Sequence, residues 1–381
     1  MNNISEFTKC ANCGACYNIC PRGAIIVEKD KLFYELKVDT EKCIDCGLCK
    51  KVCPVNNEQD KIYPLNAYAA YNRDYQKIKQ SSSGGVFIAL AEYTLSLGGV
   101  VYGAAYGENC KEVVIKSTDE VNLTELLRSK YVESCVGKAF QTIKTQLESG
   151  RKVLFCGAPC QVAGLKKFLR KEYENLLTCD FSCGGMPSHK FYQEYLDDLS
   201  AHKFKAEIES VNFRPKLYGW KTYAIEIKAK NKKAYRSFAM ADPYFYAFIG
   251  EHISVRDYCY DCKFADNHAS DIILADFWLV KKISAVKDDN SGLSLVISNT
   301  QKGEKALQNI DKQLMRTILD LDKASYNLVR KSYNADFIEQ RKEFLKDCEN
   351  SGFIKTAKKK KRASNFILKW KYRIKKLLGR A

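Results

Sequence analysis

At 381 residues the chain exceeds one ordinary domain, and it carries 17 cysteines with a formal charge of +17. That charge does not describe a nucleic-acid groove: residues 355–381 hold twelve Lys/Arg and no acid, and setting those twelve aside leaves +5 for the other 354 residues. No apolar run approaches the roughly 18 residues of a membrane span, and thiols this numerous with no signal-peptide pattern ahead of them predict a reducing compartment, the cytoplasm.

The first predicted elements are set by cysteine. Cys10, Cys13, Cys16 and Cys20 are followed by Pro21, and Cys43, Cys46, Cys49 and Cys53 by Pro54. Each run has the C-x2-C-x2-C-x3-C-P spacing of bacterial two-cluster ferredoxins, in which three close thiolates take one cluster and the fourth crosses to the other. Cys10, Cys13, Cys16 and Cys53 are therefore expected to hold one 4Fe-4S cluster, and Cys43, Cys46, Cys49 and Cys20 a second. Neither a disulfide scaffold nor a zinc pair accounts for this spacing, since structural zinc takes two separated CxxC pairs. Gly14 and Gly47 suit the tight backbone around such a core. Ala24–Val27 and Leu32–Val38 read as a short hairpin covering it. Such clusters move single electrons, so the rest of the chain is expected to supply something for electrons to reach.

After a polar linker at Asn56–Lys61, Ala67–Tyr71 opens the main body as a strand. Gln80–Gly85 then places three serines and two glycines before an apolar helix from Val86, an arrangement that suits a phosphate and equally makes a plain N-cap. Strands at Gly98–Tyr106 and Val113–Ile115 follow, and Arg128–Tyr131 precedes a helix at Val136–Leu147. Lys152–Phe155 runs as a buried strand into Cys156–Gln161 and a helix at Val162–Lys171. Leu176–Phe181 repeats the pattern, delivering Ser182–Ser188 ahead of a helix at His189–Leu199. Small residues at the carboxyl end of a strand are where α/β sheets place ligands. Residues 204–240 alternate apolar and polar, predicting an antiparallel meander. Beyond them lies a third CxxC, Cys259 and Cys262. With Cys160 and Cys183 these can form a third four-thiolate site, or all four can be scattered buried thiols.

Taken in order, Ser82–Gly85, Arg128–Tyr131, Gly157–Gln161, Cys183–Ser188, Cys259 with Cys262, Ala269–Ile272 and Asp276–Trp278 resemble the coenzyme F420 hydrogenase/dehydrogenase beta-subunit family. The resemblance implies an α+β chain: a bacterial ferredoxin-like two-cluster module (1–58), then an α/β flavin-binding domain with a mixed sheet (62–200, with 201–345 carrying the third CxxC); the residues themselves add a basic amphipathic tail (355–381). It implies FAD, with Ser82, Ser83, Gly84 and Gly85 as a phosphate cradle and Ser129, Lys130 and Tyr131 as further contacts. It also implies a third 4Fe-4S cluster on Cys160, Cys183, Cys259 and Cys262 beside the flavin. Lys130 is the candidate for stabilising reduced flavin or a substrate anion; its other reading is a surface lysine at a helix start. Two positions depart from the family pattern, Cys156 in place of a small residue and Gly184 in place of a histidine, so Cys156 and Cys179 stand as bystanders or alternative ligands.

The function this implies is an iron-sulfur flavoprotein oxidoreductase. It takes electrons from a ferredoxin-like or other redox partner protein and exchanges hydride with a small-molecule substrate. A non-catalytic electron-transfer subunit serving a partner enzyme, and a scaffold using its clusters structurally, are the other classes. His189 and His268 lie near the motifs, and Asp271 and Asp276 are expected to orient backbone around the third site. In the tail, Phe366, Ile367, Trp370, Ile374, Leu377 and Leu378 fall within about 120 degrees on a helical wheel. Lys369, Lys371, Arg373, Lys375 and Lys376 occupy the remainder, so peripheral contact with the inner face of an anionic membrane is expected, with a solvated or partner-docked tail as the alternative.

Overall fold

A computed structural model describes residues 2–7, 9–57, 61–279, 286, 288–325 and 333–362. The N-terminal hairpin pairs β1 (Ile25–Glu28) with β2 (Glu35–Val38). It is shorter than the apolar pattern predicts, because Phe33 and Tyr34 turn into the interior instead of extending the ladder. Two short helices carry cysteines beside it, α1 (Ala15–Ile19) and α2 (Leu48–Lys51).

The body is a mixed α+β fold around a nine-stranded sheet. Its strands come from both sides of residue 200: β3 (Asn66–Asn72), β4 (Val100–Tyr106), β5 (Val113–Thr118), β6 (Ser134–Cys135), β7 (Val153–Cys156) and β8 (Leu176–Phe181) from one side. Three strands, β9 (Ile208–Asn212), β10 (Ala224–Ala229) and β11 (Ala234–Phe238), form the separate antiparallel meander that the alternation predicted. The large sheet then resumes with β12 (Ile272–Asp276), β13 (Ser294–Ser298) and β14 (Leu314–Leu319), in the order β14-β3-β13-β12-β8-β7-β4-β5-β6.

The four strands β12, β8, β7 and β4 run parallel to one another, so both their faces must be covered. Alternation along β7 shows how. Val153 and Phe155 join a core with helices α5 (Ala139–Glu148) and α6 (Pro159–Leu169), whereas Leu154 faces the opposite core. That second core is built by α4 (Val86–Ser96), which follows the short α3 (Tyr75–Gln80), and by α8 (Gln301–Asn309). Helix α7 (His189–Asp198) packs instead with the meander. Helix α6 begins at Pro159 and not at Val162, since proline fits the first helical turn. Cys160 therefore sits inside that turn.

The N-terminal module docks on the α5/α6 face. A Cβ on Gly164 of α6 would lie 2.9 Å from the Cys13 carbonyl oxygen and 3.1 Å from its sulfur, so glycine permits this approach. Asn18 Nδ2 donates to the Gly137 carbonyl (2.9 Å), and Gln141 Nε2 to that of Asn18 (2.8 Å). Helix α9 (Ala335–Ser351) and a further helical stretch over 353–362 close the described chain. The amphipathic pattern expected at 366–378 lies outside the described residues. No helix among the described residues is long and apolar enough to cross a membrane.

Candidate functional site

The eight N-terminal cysteines fall into two groups. Burial holds the thiols of Cys10, Cys13 and Cys16 above their ordinary range, and the charges that then act on them include one another and Cys53. Cys20, Cys43, Cys46 and Cys49 line one cavity with Asn2, Asn3 and Ile25. This grouping is the one that crossed ligation requires. Gly14 and Gly47 both adopt left-handed backbone, φ 90° and 71°, ahead of α1 and α2. Backbone N–H groups of Asn12 and Ala24 lie 3.3 Å from the sulfurs of Cys10 and Cys20, and Asn56 Nδ2 lies 3.4 Å from that of Cys53. All 17 cysteines are free of disulfides. Among the described residues no three metal-ligating side chains are drawn in to the spacing of a single-ion site.

Cys160, Cys183, Cys259 and Cys262 come together from three separate segments. Burial raises the Cys160 thiol most, and the neighbours that raise it further are Cys262, Cys183, Cys13 and Cys259. The Cys183 thiol is pushed up to about 12, again by burial first. The N–H groups of Gly185 and Met186 point at the sulfurs of Cys183 and Cys259, each at 3.4 Å. Cys160 Sγ donates to the Ala11 carbonyl at 3.7 Å, so this third set touches the first. Cys156 and Cys179 do not join it. They pair in register across β7 and β8 and turn toward the α4/α8 core, on the other side of the sheet. Behind the third set His268 Nδ1 and Asp180 Oδ1 stand 2.9 Å apart, both buried. Burial lowers the imidazole pKa, but the Asp180 carboxylate more than offsets it and the net shift is upward.

The serine-glycine loop leads into α4 on the other face of the sheet. Ser83 Oγ donates to the Leu293 carbonyl (2.7 Å), and the Gly84 N–H to Ser294 Oγ (2.9 Å), so these two groups serve the sheet. A Cβ on Gly84 would meet the Ala70 carbonyl and lie 2.9 Å from Ser294 N. Ser82 and Ser129 share a hydroxyl contact of 2.9 Å, with the Ser129 N–H donating to Ser82 Oγ at 2.8 Å. Gly85 caps α4 in left-handed conformation with no side-chain cap, leaving the amides of the first turn without a side-chain acceptor.

Four cations gather here. Lys130 Nζ donates to the Leu127 carbonyl (2.7 Å); it lies in a loop ahead of β6, not at a helix start. Burial, and then the Arg128 guanidinium, pull its amine down to about 7. Arg214 is buried, pairs with Asp276 at 2.7 Å, and reaches the Tyr131 hydroxyl (3.3 Å) and the Ser82 carbonyl (3.2 Å). Lys216 Nζ donates to the Ser83 carbonyl (2.7 Å), and burial followed by Arg214 brings it too to about 7. Sequence reasoning missed Arg214 and Lys216. The Arg214-Pro215-Lys216 triplet after the first meander strand is the signal that was there to read. The guanidinium lies 4.2 Å from the Tyr223 ring, which with Trp220 and Trp278 forms an aromatic wall.

These residues fit the groups expected of them: clustered thiols receiving N–H donors suit iron-sulfur clusters, and depressed lysines with an uncapped helix start suit a pyrophosphate. Residues 9–57 match the 4Fe-4S dicluster domain, and residues 150–323 match the C terminus of the coenzyme F420 hydrogenase/dehydrogenase beta subunit. Over a little under half of its length the chain is thus similar to the coenzyme F420 hydrogenase/dehydrogenase beta-subunit family. The region matched to this beta-subunit family contains Cys160, Cys183, Arg214, Lys216, Cys259 and Cys262, while Ser82–Gly85 and Ser129–Tyr131 precede it. Over 203 residues the chain is 27% identical to the coenzyme F420-dependent sulfite reductase of Methanocaldococcus jannaschii, covering 52% of this chain and 31% of that protein. It thus spans about a third of that relative's length. A chain of the F420-reducing [NiFe] hydrogenase complex from Methanosarcina barkeri superposes with a TM-score of 0.47 at 14% identity, over 76% of this chain and 95% of the other.

Proposed function

We propose that this protein is an iron-sulfur flavoprotein oxidoreductase in which three four-thiolate sites lead to a flavin cleft. The observation that carries this reading is the contact chain from the first thiol set through Cys160 to the third, set by the close approach of α6 at Gly164. Cys20, Cys43, Cys46 and Cys49 would hold the outermost 4Fe-4S cluster, where Cys46 is exposed to a ferredoxin-like or other redox partner. Cys10, Cys13, Cys16 and Cys53 would hold the next, and Cys160, Cys183, Cys259 and Cys262 the innermost. Bound there, such clusters supply one-electron transfer, and FAD supplies the exchange between single electrons and hydride.

The chain's own residues do the rest. Ser82, Ser129 and the α4 amides would receive the pyrophosphate of FAD, with Arg128, Arg214 and Lys216 as counter-charges. Lys130, whose amine burial holds at about 7, would hold or give up a proton beside a developing anion. The aromatic wall would cover the planar ring and shed water. The match of residues 150–323 to a beta-subunit family favours a second reading, in which the chain passes electrons to a partner enzyme. The tail adds peripheral contact with an anionic membrane surface.

Iron, acid-labile sulfide and flavin would be measured on anaerobically purified protein and on serine variants of Cys160, Cys183, Cys259 and Cys262. About twelve irons and one FAD, falling to about eight irons in each variant, are expected for three four-iron clusters. Eight irons and no flavin would overturn the proposal. Flavin reoxidation by a small molecule with the isolated chain separates the enzyme from the electron-transfer role.

A further inference from the structure

Glu133 and Arg256 form a buried ion pair at the seam between the N-terminal module and the body. Glu133 is fully buried and accepts from Arg256 Nε (2.7 Å), Asn12 Nδ2 (3.1 Å) and the Tyr34 backbone N–H (3.0 Å). The Arg256 guanidinium also donates to the Cys10 carbonyl at 3.5 Å and to the Tyr34 carbonyl. On its other side the Arg256 carbonyl accepts from the Cys259 N–H at 2.9 Å. Arg256 therefore bridges the two sets, its guanidinium at Cys10 of the first and its backbone, three residues ahead, at Cys259 of the third.

A fixed charge with so little water around it is screened weakly. Adding an electron to a cluster adds negative charge, so a nearby cation stabilises the reduced state and raises the reduction potential. We infer that Arg256 sets the potentials of the two thiolate-held clusters flanking it, holding both up together, and that Glu133 is the counter-charge that limits the effect. This rests on the ligand sets proposed above. The outer set, Cys20, Cys43, Cys46 and Cys49, lines a cavity on the far side of the module without Arg256 and serves as an internal control.

The test is an anaerobic redox titration followed by electron paramagnetic resonance on the full chain, with Arg256→Gln, Arg256→Lys and Glu133→Gln. Arg256→Gln is expected to lower two of three midpoint potentials and leave the third in place. Glu133→Gln is expected to raise the same two, and Arg256→Lys, which keeps the charge, to stay near wild type. Should Arg256→Gln fail to fold, the upward shift in Glu133→Gln still decides. Potentials that ignore both substitutions, move all together or move in the same direction for both would overturn the assignment while leaving the three clusters standing. A wild type holding only two clusters would sink the ligand sets, and the assignment with them.

Discussion

At the scale of single residues, burial brings two amines beside the serine-glycine loop, Lys130 and Lys216, down to about 7. Lys130 has an ordinary value of 10.5 and is held at about 7. Between those values the unfolded chain binds more protons than the folded one, so this residue makes stability rise as pH rises across the window. Binding runs the other way: an anionic flavin is favoured by the protonated amine. FAD affinity, read by fluorescence quenching from about pH 6 to 9, should fall as pH passes about 7, and Lys130→Met should flatten part of that fall. A wild-type affinity without pH dependence would remove Lys130 and Lys216 from the anion site. Arg214 has a structural duty as well. Arg214→Ala would leave Asp276 beside Tyr131 and Tyr223 without its cation, at a cost of about 3–5 kcal/mol. A thermal melt unchanged from wild type would contradict this.

At the scale of elements, the helices of the α5/α6 face carry the fold and would carry the proposed relay. Phe140 is fully buried, its ring centre 5.8 Å from that of Phe155 and 5.9 Å from that of Phe168. Phe140→Ala should cost about 3–5 kcal/mol in denaturant unfolding. Gly164→Val should force α6 away from Cys13, and iron analysis should show loss from the sets on either side while the outer set is kept. Full iron content in that variant would mean the contact is not needed. The cysteine runs were legible because cluster ligation writes its spacing into neighbouring residues. The helix after Ser82–Gly85 and the strand-loop-helix units at Cys156 and Phe181 were legible for the same local reason. The strands β12, β13 and β14 were not read: β13 is buried throughout, and periodicity does not separate such a run from a helix. Arg214 and Arg256 meet Ser82 and Cys10 only after long stretches of chain, through sheet topology that no local pattern states.

At the scale of the whole molecule, charge is divided between a basic tail and a body near balance. Intact protein is expected to float with liposomes containing anionic lipid and to remain in the soluble fraction with neutral ones, and a chain cut after Arg362 should lose the difference. Flotation independent of the tail would place any membrane contact elsewhere. The Glu133 seam carries a different implication. A two-cluster module grafted from another protein would have to bring its own donor at the place of Asn12 and its own exposed amide at that of Tyr34, or leave the buried Glu133–Arg256 pair short of two of its hydrogen bonds in the interface. The module is thus not an interchangeable part, and its exchange would require matched changes on both sides of the join.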